Sequence, residues 1–323
     1  MTRSLPRPAR RRAALALSAA TALTLALTAC GGDSLEEEGG GSDAGGRSLT
    51  IGGANFTEAT VLIELYAQIL REEGFDTETT PTEGREIYGP ELESGAIDIV
   101  PEYAATAAEY YNAQANGPEA EPVATPDVTE TVEALRELTG PRGLTVLDPG
   151  EAVDQNAFAV TEEFAEENGL TTLTDLGESG LSVRLAAGED CATRPFCEPG
   201  LEETYGIDIA EVDPLGVGTT LAKQSVADGE NDLVLVTTTD GTLPDFGLTL
   251  LEDDRNLQLA DNVLPVVNTE SAGDEEIAAA LGRLTEALTT EDLVELNRQV
   301  DAERRTAEDV ARDWLTQEGL IGG

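Results

Sequence analysis

Two stretches of this chain alternate short β-type runs with amphipathic helical runs, and nothing else in the sequence limits the fold so strongly. Residues 48–53 (SLTIGG) are a β-type run ending in glycines. Over 59–73 the apolar residues Leu62, Leu65, Tyr66, Ile69 and Leu70 fall at helical spacing, and Gly74 stops the run as a C′ residue. The pattern continues as a strand over 76–80, a short helix over 86–92, a strand over 96–100 and a helix over 128–138. Such a βαβαβ rhythm predicts a parallel α/β sheet. A second unit opens near Gln155, with strands at 156–160, 181–185 and 232–236 and helices at 162–167 and 219–227. The tail is helical over 274–288, 290–302 and 306–318, with Thr290 and Thr306 placed as N-caps before acidic first turns. Two α/β lobes follow, and a cleft between them is where a ligand is expected, because open α/β sheets bind beyond the carboxyl ends of their strands.

The N-terminus is a sorting signal rather than fold. Arg3, Arg7, Arg10, Arg11 and Arg12 precede an apolar stretch over 13–29 that contains no acid, and Leu27-Thr28-Ala29-Cys30 follows. A basic start, a short apolar core and small residues before a cut make a secretory signal. An uncleaved anchor is the alternative, and the stretch is marginal for a span of about 20 residues. The LTAC segment resembles a bacterial lipobox, which implies cleavage after residue 29 and a diacylglycerol on Cys30. Residues 31–47 are glycine-rich without apolar periodicity, so 30–47 reads as a flexible tether.

Composition removes whole classes of function. The 323 residues hold 64 Asp and Glu against 19 Lys and Arg and no His, a formal net charge of -45. A surface this negative repels phosphate backbones, so no nucleic-acid partner is expected. Without histidine there is no Ser–His–Asp triad, no Cys–His dyad and no imidazole metal ligand. With so many carboxylates, pairs at any spacing arise by chance, and none is assigned a catalytic role; no cofactor or metal is expected. Cys191 and Cys197 lie close together in an exported chain, where a disulfide is the default. A metal site is the alternative, for which two cysteines without further ligands are a poor set.

Several segments, in order over 48–320, resemble the substrate-binding proteins of glycine betaine/choline-type ABC importers. They are 51–58 (IGGANFTE), 93–103 (ESGAIDIVPEY), 154–160 (DQNAFAV), 238–241 (TTDG), 296–301 (LNRQVD) and 308–311 (EDVA). The resemblance implies a type II periplasmic-binding fold: lobe 1 from 48–153 and 242–323, lobe 2 from 154–241, joined by two crossovers around a ligand cleft. It implies a monomeric, non-enzymatic lipoprotein on the outer face of the plasma membrane, delivering a small solute to an ABC permease and its ATPase. An exported enzyme, a sensory or structural lipoprotein on the same fold, or the same role with an amino acid or amine as ligand, are the alternatives.

A quaternary ammonium cannot donate hydrogen bonds and is held by aromatic faces. The resemblance implies a cage of four tyrosines, of which only Tyr103 stands here; Asn156, Glu198 and Thr237 fill the other places. Tyr88, Phe56 and Phe158 are candidate replacement rings, although Phe158 beside Ala and Val reads most simply as core. Tyr103 reads either as a cage ring or as a buried tyrosine with a bonded hydroxyl. Glu198 suits a cation that donates hydrogen bonds. Asn55 and Thr57 precede the first helix, as a carboxylate site or as caps. Gln155 and Asn156 stand at the crossover, and Thr237, Thr238 and Thr239 end a strand facing the cleft. Arg85 pairs with a ligand carboxylate or is simply solvated.

Overall fold

The computed structural model describes residues 47–117, 120–189 and 191–322. The leader at 1–29, Cys30 and all of the tether but Arg47 lie outside the described residues.

Lobe 1 begins with β1 (Ser48–Ala54), α1 (Thr57–Glu72), β2 (Asp76–Thr82), α2 (Arg85–Ser94), β3 (Ile99–Tyr103), α3 (Ala104–Asn116), α4 (Val128–Thr139) and β4 (Leu144–Val146). Lobe 2 holds β5 (Asn156–Thr161), α5 (Glu162–Asn168), α6 (Leu173–Ser179), β6 (Ser182–Ala186), α7 (Glu198–Gly200), β7 (Asp208–Asp213), α8 (Thr220–Ala227), β8 (Leu233–Thr237) and β9 (Leu248–Leu251). The chain then returns to lobe 1 as β10 (Val263–Asn268), α9 (Thr269–Ala272), α10 (Glu275–Ala287), α11 (Thr290–Asp301) and α12 (Ala307–Gln317). Each lobe is built on a five-stranded sheet, in the orders β2-β1-β3-β10-β4 and β7-β6-β8-β5-β9. In each, the strand that enters from the other lobe runs antiparallel to its neighbours: β10 against β3 and β4, β5 against β8 and β9. This is the two-lobed α/β architecture that the resemblance implied.

Helix α1 shows why the C-terminal segment belongs to lobe 1. Val61, Leu62, Leu65, Ile69 and Leu70 are fully buried, and they form one core with Leu281, Leu293, Val310 and Leu315 of α10, α11 and α12. Burying each such side chain contributes about 1.5–3 kcal/mol, so α1 is clamped between the sheet and the tail helices. That clamp fixes the α1 N-terminus, which sits at the mouth of the cleft.

The return to lobe 1 comes later than 242. Residues 242–251 stay in lobe 2, where β9 pairs with β5 and Leu243 and Leu248 pack on Ala157, Val234 and Val236. Segment 238–241 only visits the waist between the lobes: the Thr238 hydroxyl donates to the Val153 carbonyl at 2.9 Å and accepts from the Gln155 N–H at 3.1 Å. The second crossover is the stretch around 261–263. It runs beside the first through an antiparallel bridge between Val153 and Asn262.

Two other differences have local causes. Strand β3 extends three residues beyond 100 to Tyr103, through Pro101, which lies opposite Pro265 of β10. Two residues without N–H groups thus share one register position, and the Pro265 carbonyl accepts from Leu147 on its far side. At the last helices, Thr289 rather than Thr290 caps α11, in a capping box with Asp292, whereas Thr306 caps α12 as expected. Cys191 and Cys197 are joined by a disulfide, with Cα atoms 5.2 Å apart.

Candidate functional site

At the waist, side chains from both lobes meet in one chain of hydrogen bonds. The Tyr103 hydroxyl, at the end of β3, donates to Glu58 Oε1 at 2.8 Å. The other Glu58 oxygen accepts from Asn297 Nδ2 of α11 at 2.8 Å, and the same amide reaches the Thr239 carbonyl at 3.2 Å. Thr239 in turn donates its hydroxyl to Asp154 Oδ1 at 2.9 Å. Burial, followed by the neighbouring Glu58 charge, pushes the Asp154 carboxyl above the usual carboxylate range, against the pull of the Thr239 and Thr237 hydroxyls.

Above this chain opens a cavity of about 640 Å³ with walls from both lobes. Phe56, Tyr88 and Tyr103 supply rings from lobe 1, and Phe196 supplies one from the disulfide-closed loop of lobe 2. The Phe56 and Tyr103 rings stack with centroids 6.1 Å apart at 28°. Phe56 is 47% exposed, unusual for phenylalanine, and its side chain lines this space. Gln155, Asn156 and Thr237 line the floor, with Asp154, Asp261, Arg85, Arg194 and Gln258 around them. A neighbouring cavity of about 870 Å³ shares Phe56, Asp154 and Thr237 and runs past Thr57, Lys223 and Asn297. Together they form one interlobe cleft.

Arg85 borders the cavity, but it is held by protein groups rather than solvated. Its guanidinium grips Glu102 in a fork, at 2.9 and 2.7 Å, and Glu102 also accepts from the Tyr88 hydroxyl at 2.9 Å. The pair therefore sets the position of Tyr88, and the cavity lining carries Glu83, Glu109, Asp154 and Asp261 beside Arg85 and Arg194. Burial pushes Asp261 up to about 7, although two backbone N–H groups at the start of α3 donate to its Oδ1 at 2.9 and 3.1 Å.

Residues 47–317 match the family described as the substrate binding domain of the ABC-type glycine betaine transport system. The chain belongs to this family. It is 31% identical over 290 residues to a glycine-betaine-binding protein of Pseudomonas aeruginosa, covering 85% of this chain and 89% of that one. It is 27% identical over 289 residues to the glycine betaine-binding protein YehZ of Escherichia coli, covering 84% and 90%. Apo YehZ superposes with a TM-score of 0.73, over 85% of this chain and 99% of that structure. A glycine betaine/carnitine/choline ABC transporter structure, 20% identical, gives a TM-score of 0.74 over 85% and 100%, which shows the shared fold.

Within this glycine betaine-type binding domain, the residues singled out from sequence divide. Phe56, Tyr88, Tyr103, Gln155, Asn156 and Thr237 come together around the first cavity, and Thr57 lines the second. Glu198 lines neither; it opens α7, one residue past the disulfide, and Arg194 and Phe196 of that loop reach the cavity instead. Asn55 is exposed at the end of β1 and lines neither cavity. Neither Asn55 nor Thr57 caps α1, whose N-cap is Phe56 without a side-chain bond; Thr57 donates to Asp301 at 2.7 Å. Thr238 serves the waist rather than the cleft, and Phe158 is core, 1% exposed. Asp154, Asp261, Phe196, Arg194 and Gln258 were not singled out. Asp154 and Asp261 each stand just before a strand that enters a lobe, and that placement is the one signal the sequence carried for them.

Proposed function

We propose that this ABC-type substrate-binding protein captures a small cationic or zwitterionic ammonium solute in the interlobe cavity and delivers it to its permease. It acts by binding alone, as a monomer. The observation that carries the reading is the cavity lined by the stacked Phe56 and Tyr103 rings together with Asp154 and Asp261, with walls from both lobes. Aromatic faces attract a cation at about 0.5–2 kcal/mol each, and closure of the lobes removes it from water. The relatives' names point to glycine betaine as one such solute. Anchoring through a lipid on Cys30 keeps the protein beside the permease; two acyl chains at about 0.8 kcal/mol per CH₂ suffice. Cys30→Ala is expected to shift the protein from the membrane fraction to the medium or to unprocessed precursor, and unchanged fractionation would remove the anchor from this account.

Titration calorimetry on Tyr103 variants tests the site. Tyr103→Ala removes a ring and is expected to raise the Kd for a bound ammonium solute about ten-fold or more. Tyr103→Phe keeps the face, so affinity stays within a few-fold, but Glu58 loses a donor and stability falls by about 1–3 kcal/mol. Equal affinities for wild type and Tyr103→Ala would place the ligand elsewhere.

A further inference from the structure

The cleft offers hydrogen-bond acceptors that its own side chains leave open. Asp261 is 8% exposed and lines the ring-bearing cavity. Its Oδ1 is held by the Ala105 and Thr106 N–H groups, while Oδ2 has no hydrogen-bond partner among the described residues. Gln258, 5% exposed, spends its amide N–H on the Phe196 carbonyl at 2.9 Å, and its oxygen has no donor among the described residues. Asp154 borders both cavities; its Oδ1 accepts from the Thr239 hydroxyl at 2.9 Å, and it adjoins Glu58, whose two oxygens are taken by Tyr103 and Asn297. Arg85 does not answer these acceptors, because Glu102 and Thr106 hold it.

A fully methylated ammonium has no N–H to give. Closing the cleft on its methyl face would strip water from Asp261 Oδ2 and the Gln258 oxygen and return no N–H donor to them or to Asp154, and each buried acceptor left so is costly. An ammonium bearing N–H groups supplies donors to the same atoms and still presents positive charge to Phe56 and Tyr103. We propose that this cleft selects ammonium solutes that carry N–H donors over their fully methylated counterparts, with Asp154 and Asp261 as the receiving carboxylates. The inference rests on the reading of the interlobe cavity as the ligand site. Glu198 was the sequence's candidate for this duty; the two waist-side aspartates take its place.

The test uses matched ligands that differ only in methylation: ethanolamine through its N-methyl forms to choline, and glycine through its N-methyl forms to glycine betaine. Titration calorimetry on the full-length protein in detergent is expected to give a Kd at least about ten-fold lower for an N–H-bearing member than for the trimethylated end of its series. Asp261→Asn, which keeps an oxygen for the two backbone donors, and Asp154→Asn should each shrink that ratio several-fold. Choline and glycine betaine binding as tightly as every less methylated analogue, or a ratio untouched by both substitutions, overturns this inference alone. No binding by any member of either series overturns it together with the ammonium reading of the cavity.

Discussion

Replacing Glu102 with alanine is expected to destabilise the protein by about 3–5 kcal/mol, on the order of 10 °C in melting temperature. The Glu102 side chain is 1% exposed and that of Arg85 is 18%, so removal of the carboxylate strands a largely buried guanidinium. The remaining partners of Arg85 are the Thr106 hydroxyl and carbonyl at 3.1 and 3.4 Å and the Tyr110 ring at 5.9 Å, with the Asp261 charge acting on it but not hydrogen-bonded to it. Tyr88 loses its acceptor in the same step, and the Tyr103 N–H loses a 3.3 Å contact. Both tyrosines line the cavity, so ligand affinity should weaken along with the fold. A paired substitution separates the causes. With Arg85→Met added to Glu102→Leu, no buried charge is left unmatched, and most of the lost stability should return while Tyr88 stays unanchored. Denaturant midpoints for the two single variants and the double variant measure this. A cost below about 1 kcal/mol for Glu102→Ala would show that the pair is not a structural element.

The same neighbourhood shows what a sequence exposes and what it hides. Helices α11 and α12 were legible because each buries one face against a core, a demand that writes itself into the chain at helical spacing, and α1, buried on nearly every side, was legible by its length and its Gly74 stop. Strand β10 was not legible: its six residues are all buried, so nothing alternates, and Pro265 argues against a strand until Pro101 is seen opposite it. Helix α3 escaped for a related reason, since an alanine-rich run with a weak apolar side carries little periodic signal. The late return crossover was missed because 238–241 does touch the waist, and only the pairing of β9 with β5 reveals that the chain turns back. In the site, Tyr103 could be found by its motif and Phe56 by its place before a helix. Asp154 and Asp261 could not be picked out of 64 acids, since burial distinguishes them and burial is a property of the assembled lobes. Position by alignment misled at Glu198, where the short disulfide loop turns Arg194 and Phe196 toward the cavity in its stead.

Asp261 also sets a pH dependence that can be isolated. Burial raises its carboxyl from 3.8 to about 7 in the folded protein, and the Asp154 charge adds to the rise. The Thr106 and Ala105 N–H groups and the Arg85 charge oppose it. Between those two values the folded protein holds a proton that the unfolded chain has released. The resulting stability is fully present below the unfolded value and is lost as pH rises through about 7. A shift of roughly three units sets an upper limit of about 4 kcal/mol. General repulsion among the acids pushes in the same direction, so the wild-type curve alone does not identify the residue. The substitution Asp261→Asn mimics the protonated state, so this variant should match wild type only below pH 4 and exceed it in stability by a margin that grows from pH 5 to pH 7 and then levels off. Cation binding carries the opposite sign, because the ionised carboxylate is the form that attracts the ligand. Wild-type affinity for an ammonium solute should therefore strengthen as pH rises from 5 to 8, and in Asp261→Asn it should change less, the remaining trend coming from Asp154, whose carboxyl is raised as well. Denaturant midpoints and calorimetric Kd values at pH 5, 6, 7 and 8 read both trends, and parallel curves for the two proteins would show that Asp261 does not titrate in this window.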